Sequence, residues 1–147
     1  MQVFVTGSPL ETAMALDKAR LRKQIIECHQ ILAAIHGEGK GWFHHPVVLM
    51  YSEPNSVRWL QMYVDILEGY LAGYTGLPEA DNEAKLITPK FHTPTFVENM
   101  KRRLYTKSPE HYKQWAEYGT SDENFYWSPT QHKWLVYRDG KLIKTRI

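Results

Sequence analysis

The stretch Leu16–Gly37, LDKARLRKQIIECHQILAAIHG, decides how this chain is read. Leu21, Ile25, Cys28, Leu32 and Ile35 follow at steps of four, three, four and three, the spacing of one apolar stripe on an α-helix. Arg20, Lys23, Glu27, Gln30 and Ala34 keep the same rhythm on another face. A single carboxylate, Glu27, thus stands one turn from Lys23 and two turns from Arg20. One acid in a row of cations is an arrangement that offers a general acid or base to a polyanionic substrate. The same spacing also describes an ordinary solvated helix face, where Lys and Glu four apart contribute roughly a few tenths of a kcal/mol.

Outward toward the N-terminus, Asp17 is placed to cap this helix. Ser8-Pro9-Leu10-Glu11 forms a capping box with proline at the first position of a short helix carrying Leu10 and Met14. Val3, Phe4 and Val5 read as a short extended segment. Toward the C-terminus, Gly37 and Gly39 end the long helix. Gly39–Tyr51, GKGWFHHPVVLMY, is a turn feeding an apolar helix start. His44 and His45 invite a metal, but they lack a cysteine partner and H-E-x-x-H spacing, so hydrogen-bonded histidines are the stronger reading. Asn55 caps a helix to about Tyr74, with a stripe of Val57, Leu60, Val64, Leu67 and Leu71 and with Tyr63, Ile66, Tyr70 and Tyr74 alongside. That helix is expected at the centre of the core.

Leu77–Lys90 reads as a loop with an acidic patch of Glu79, Asp81 and Glu83, set away from any phosphate backbone. Thr93-Pro94 starts a helix to about Tyr105, and Ser108-Pro109-Glu110 starts another to about Tyr118. Asp139-Gly140, flanked by Trp134, Val136 and Leu142, is a two-residue hairpin signal. The expected fold is mainly α: a compact single-domain helical bundle over residues 1–128, with a basic β-hairpin extension over residues 129–147.

The chain has 147 residues with 43% hydrophobic and 23% charged, enough to build a core and too apolar for disorder. Its single cysteine, Cys28, excludes a disulfide framework and a thiolate metal cluster, and sits on the apolar stripe as inert core. No apolar run has membrane-span length and no signal pattern opens the chain, so a soluble, intracellular protein of the cytoplasm is expected. A monomer is favoured. The net charge is only +2, but three basic clusters stand out: Lys18, Arg20, Arg22 and Lys23; Lys101, Arg102, Arg103 and Lys107; and the C-terminal hairpin. Several cations are what binding to a phosphate backbone needs. There is no phosphate loop, no dinucleotide fingerprint and no nucleophile elbow.

Met1-Gln2 and Phe4, Leu16-Asp17, Arg20-Leu21, Lys23-Gln24, Glu27, Gln30-Ile31-Leu32, Gly41-Trp42 and His45-Pro46 resemble the N-terminal half of the pyrimidine-dimer DNA glycosylases of the bacteriophage endonuclease V type. Lys107, Ser108-Pro109-Glu110-His111-Tyr112 and Tyr126-Trp127 resemble that family's C-terminal signature. The resemblance implies a helical fold that clamps and kinks duplex DNA, flips a base from the stack and cleaves an N-glycosidic bond without a metal or organic cofactor. It implies that a primary amine attacks C1′ to form an imine while one helical glutamate assists and then promotes β-elimination, an AP-lyase step. Glu27 falls at that glutamate. Arg20, Lys23, Arg103 and Lys107, with His29 and His45, fall at DNA-contacting positions. The family's nucleophile is an α-amine exposed when the initiator methionine is removed. Here Gln2 blocks removal, so the amine is that of Met1, or Lys23 or Lys18 takes the role. Ile26 stands where the resemblance would place an arginine. Two other readings stay open: a DNA-binding protein that keeps the clamp without the chemistry, and a glycosidase acting on nucleosides or nucleotides.

Overall fold

A computed structural model describes every residue except Gly39, Lys40, Trp42 and Ile147. Gly39 as a helix stop, Trp42 as a family marker and Ile147 as the end of the hairpin therefore lie outside the described residues. The chain divides into two compact units, Met1–Lys90 and Phe91–Ile147.

The first unit is helical. Helix α1 spans Pro9–Ala15 and begins with the capping box read from the sequence: Ser8 Oγ accepts from the Glu11 N–H at 3.2 Å, and the Ser8 N–H donates to Glu11 Oε1 at 3.1 Å. Helix α2 spans Lys18–Ile35, capped by Asp17. Its buried face is not quite the expected stripe. Leu21, Gln24, Cys28, Ile31, Leu32 and Ala34 are buried, whereas Ile25 and Ile35 are only half-buried. The helix is rolled toward Gln24, and Ala34 belongs to the core rather than to the polar face.

Helix α3 is one short turn-and-a-half, Pro46–Met50, with proline at its start. Helix α4, Pro54–Ala72, is the centre of this unit as expected: α1, α2 and α5 all pack on it. Its N-cap is Glu53 rather than Asn55, and Gly73 ends it in the left-handed conformation at φ 78°. Trp59 stacks between Tyr51 and Tyr63, with ring centroids 6.0 and 4.9 Å away. All three rings are fully buried.

One expectation is corrected here. Leu77–Leu86 is a helix, α5, not a loop. Pro78 sits in its first turn, Glu79 near its N-terminus and Lys85 in its last turn, so its charges match the helix dipole. Nor is its acidic residue Asp81 part of a surface patch. Asp81 is buried, and its Oδ1 accepts from the Leu10 N–H at 2.8 Å, at the otherwise unsatisfied start of α1.

The second unit opens with α6, Pro94–Lys107, capped by Thr93. The helix expected from Ser108 is instead a turn followed by a 3-10 segment, Lys113–Tyr118. Ser108 closes α6 by donating its N–H to the Leu104 carbonyl, so it does not open a new helix. The expected hairpin is present and has a further strand. Strands β1 (Glu123–Ser128), β2 (Lys133–Arg138) and β3 (Lys141–Arg146) form an antiparallel sheet in that order. Asp139 and Gly140 both have positive φ, 52° and 74°, as a type I′ hairpin turn requires.

Candidate active site

The N-terminal segment is not a strand of any sheet, yet residues 2–6 are buried. Extended backbone inside a helical unit must find partners for its polar groups. Gln24 of α2 supplies them. Its Oε1 accepts from the Phe4 N–H at 2.6 Å, and its Nε2 donates to the Gln2 carbonyl at 2.9 Å. One carboxamide thereby satisfies an N–H and a C=O two residues apart, as a neighbouring strand would. Tyr63 Oη from α4 donates to the Phe4 carbonyl at 2.6 Å and lies 3.3 Å from Gln24 Oε1. Farther along, the Thr6 N–H donates to Thr12 Oγ1 at 3.1 Å.

Fixing Gln2 and Phe4 on Gln24 fixes what lies one helical turn away. Gln24 and Glu27 are three apart, so they share a face of α2. The Gln2 N–H donates to Glu27 Oε2 at 3.3 Å. The first residue of the chain is thus held next to the one acid of that face. Glu27 is mostly shielded, with 17% side-chain exposure, while Lys23, whose Nζ lies 3.9 Å from Glu27 Oε1, is 77% exposed. The carboxylate points into the structure and its cation points out.

The negative charge of Glu27 is felt in the core. Burial pushes the Cys28 thiol well above its ordinary value, and Glu27 adds to the shift. This keeps Cys28 protonated, in keeping with an inert core thiol. Burial likewise raises Tyr63, with smaller contributions from Cys28, Tyr51 and Glu27, so its hydroxyl stays a donor to Phe4. His45 is half-buried at the N-cap of α3, where its Nδ1 accepts from the Val47 N–H at 3.1 Å. Its pKa is lowered first by burial and then by the positive charge of the α-amine. His45 is therefore a neighbour of the N-terminus as well as a helix cap.

Met1, Lys23, Glu27 and His45 are thus gathered in the first unit. Arg20 is turned toward the start of its own helix, with Nη1 3.1 Å from Asp17 Oδ1. His29 lies across from α4, where its Nε2 meets Glu68 Oε1. Both are on α2, but each is engaged by a residue outside the Met1–Glu27 cluster.

Arg103 and Lys107 belong to α6 of the second unit. Lys107 is exposed at the end of the helix. Arg103 is half-buried. Burial lowers its pKa, Tyr126 and Asp122 oppose that, and its Nε has no hydrogen-bond partner among the described residues. The described residues hold no group of three or more His, Cys, Asp or Glu able to bind a metal ion.

Sequence reasoning missed Gln24 and Tyr63. Gln24 lies three residues after Leu21 and four before Cys28, on the apolar rhythm itself. A polar residue on that rhythm is the signal that could have found it. From sequence Tyr63 reads only as core, because nothing local tells that its hydroxyl reaches residue 4.

The comparisons with known proteins fall on this same part of the chain. Residues 1–69 match the family model described as pyrimidine dimer DNA glycosylase. This is the family that the sequence resembles, and the match covers Met1, Gln24, Glu27, His45 and Tyr63. It supports a DNA glycosylase kind of function, acting on DNA. No curated protein and no solved structure matches the chain.

Proposed function

We propose that this chain, whose first 69 residues match the pyrimidine dimer DNA glycosylases, cleaves the N-glycosidic bond of damaged or modified pyrimidines in duplex DNA and then nicks the strand as an AP lyase. The observation that carries the reading is the hydrogen bond from the Gln2 N–H to Glu27. It sets the chain's own α-amine one residue from the only carboxylate of the cationic face.

The chemistry follows from that pair. The unprotonated α-amine of Met1 attacks C1′ of the sugar, and the C1′–N bond breaks with its electron pair leaving on the base, which takes up a proton. Glu27 stabilises the positive charge that develops on the sugar as the base departs. Opening of the C1′–O4′ bond leaves an imine between Met1 and C1′. Glu27 then takes the C2′ proton, and the 3′ phosphate leaves in β-elimination. Lys23 positions phosphates from the exposed side of α2 and Arg20 from beside Asp17 at its start, and Arg103 and Lys107 do so from α6.

The test is borohydride trapping on duplexes carrying a cyclobutane pyrimidine dimer or an abasic site, with mass mapping of the adduct. A covalent adduct on Met1 is expected. An adduct on Lys23 or Lys18 would move the nucleophile. Base release without an adduct would replace the imine route by hydrolysis. Tight binding with neither would refute the enzymatic reading in favour of a DNA clamp without chemistry.

A further inference from the structure

The charge of the chain is divided unevenly between its units. Residues 1–90 carry eight Lys and Arg against ten Asp and Glu, whereas residues 91–147 carry ten against six. The unit with the Met1–Glu27 pair is therefore net negative, and attraction for a polyanion falls to the other one. Within it, β3 is exposed along its whole length and is an edge strand of its sheet.

Lys141, Lys144 and Arg146 lie on this strand. Lys141 and Lys144 are three positions apart, an odd spacing that sends two side chains to opposite faces of a regular strand. The register breaks that rule. Lys141 pairs with Arg138, Lys144 with Val136 and Arg146 with Trp134, so β3 has one extra residue between Leu142 and Lys144. Arg138, Val136 and Trp134 are two apart and share a face, and directly opposed partners share it too. The bulge thus returns Lys144 to the side of Lys141 and aligns four cations, Arg138, Lys141, Lys144 and Arg146, on one face.

Contacts with β1 agree with this face. Glu123 Oε2 lies 3.4 Å from Lys144 Nζ and 3.7 Å from Arg138 Nη2, and the Arg146 guanidinium sits 5.8 Å from the centre of the Phe125 ring. Asp122 takes a second contact with Arg138 at 3.1 Å. The two acids hold Arg138 and Lys144 in place and offset part of the row, which keeps four cations against two carboxylates.

We infer that this bulged edge of the sheet is a second, sequence-independent contact for the phosphate backbone of duplex DNA, made by Lys141, Lys144 and Arg146. The inference rests on the reading that DNA is the substrate, but its test needs no chemistry. Binding of the full chain to an undamaged fluorescent duplex is measured between 50 and 200 mM salt. The comparison is wild type, the triple variant Lys141→Gln, Lys144→Gln and Arg146→Gln, and the charge-keeping Lys141→Arg and Lys144→Arg variant.

Three phosphate contacts contribute about 2.7 to the slope of log K against log salt. Wild type is therefore expected to lose about forty-fold more affinity than the triple variant over that range, and the charge-keeping variant to follow wild type. A triple-variant slope within about 0.5 of wild type would overturn the inference. So would an equal loss of slope in the charge-keeping variant, which would assign the effect to the fold of the sheet. Loss of glycosylase activity with the slope difference intact would bear on the catalytic reading alone.

Discussion

Replacing Gln24 by alanine tests the anchoring of the N-terminus more directly than any change at the proposed catalytic groups. The substitution removes the acceptor of the buried Phe4 N–H and the donor to the Gln2 carbonyl. Each buried backbone group left without a partner costs about 1–3 kcal/mol. Two such groups give a loss of about 4 kcal/mol if the segment stays in place. If it detaches instead, Val3, Phe4 and Val5 lose their burial, and a local opening replaces a global loss. Detachment moves Met1 away from Glu27, and a segment left in place has lost the two bonds that fix its position beside that residue. Urea denaturation of Gln24→Ala is expected to show a midpoint lowered at unchanged m, or a fragment of the N-terminus newly open to hydrogen exchange. Borohydride trapping on an abasic duplex is expected to fall at least tenfold while duplex binding is retained. Tyr63→Phe removes one donor to the Phe4 carbonyl and is expected to cost about 1–2 kcal/mol. The two sites share Gln24 Oε1, so the double variant should lose less than the sum. A Gln24→Ala protein within about 0.5 kcal/mol of wild type, with trapping unchanged, would refute the argument that this carboxamide places the amine.

Three further outcomes follow from single residues. Glu27→Gln keeps the shape but not the charge, and is expected to slow base release by about a hundredfold or more in single-turnover assays while duplex affinity changes little. Asp81→Ala leaves the Leu10 N–H at the start of α1 without its acceptor and is expected to lower stability by about 1–2 kcal/mol in chemical denaturation, with Asp81→Asn costing less because Oδ1 remains. His92 is held near pKa 3 by burial, against 6.5 unperturbed, so below pH 6.5 the unfolded chain gains a proton that the folded one refuses. Its contribution is neutral above pH 6.5 and becomes destabilising as the pH falls toward 3, reaching about 2 kcal/mol at pH 5. Urea melts at pH 7 and pH 5 measure it, and His92→Gln should remove that part of the difference.

How far the sequence carried the reading depends on the range of each interaction. The capping box at Ser8, the Asp17 cap and the Asp139-Gly140 turn are settled within four residues, and all three are in the structure where spacing put them. The centrality of α4 follows from an apolar face too wide to be left in water. Leu77–Leu86 reads as a loop because only Asp81 and Ala84 of this helix are buried, too few to show an apolar stripe. A carboxylate that caps a helix 71 positions earlier in the chain leaves no local sign of it. Strand β1 is only partly legible: Phe125, Tyr126 and Trp127 have high strand propensity, but Tyr126-Trp127 also serves as a family marker and no two-residue turn joins the run to β2.

Glu27 was legible as an acid among cations, but its partner was not. Nothing in the spacing of α2 says that residue 2 lies beside residue 27. That depends on Gln24, and a glutamine in an apolar stripe looks from sequence alone like an imperfection of the stripe. In the structure it is the residue that replaces a missing strand. A short N-terminal segment has no sheet to join, so its buried amide groups require a side chain with both a donor and an acceptor at the right separation. Glutamine carries both on one planar group, and glutamate or leucine at this position would leave at least one backbone group unsatisfied. The demand of the backbone for partners therefore explains a polar residue in the core, and it explains the position of the N-terminus by the same two hydrogen bonds.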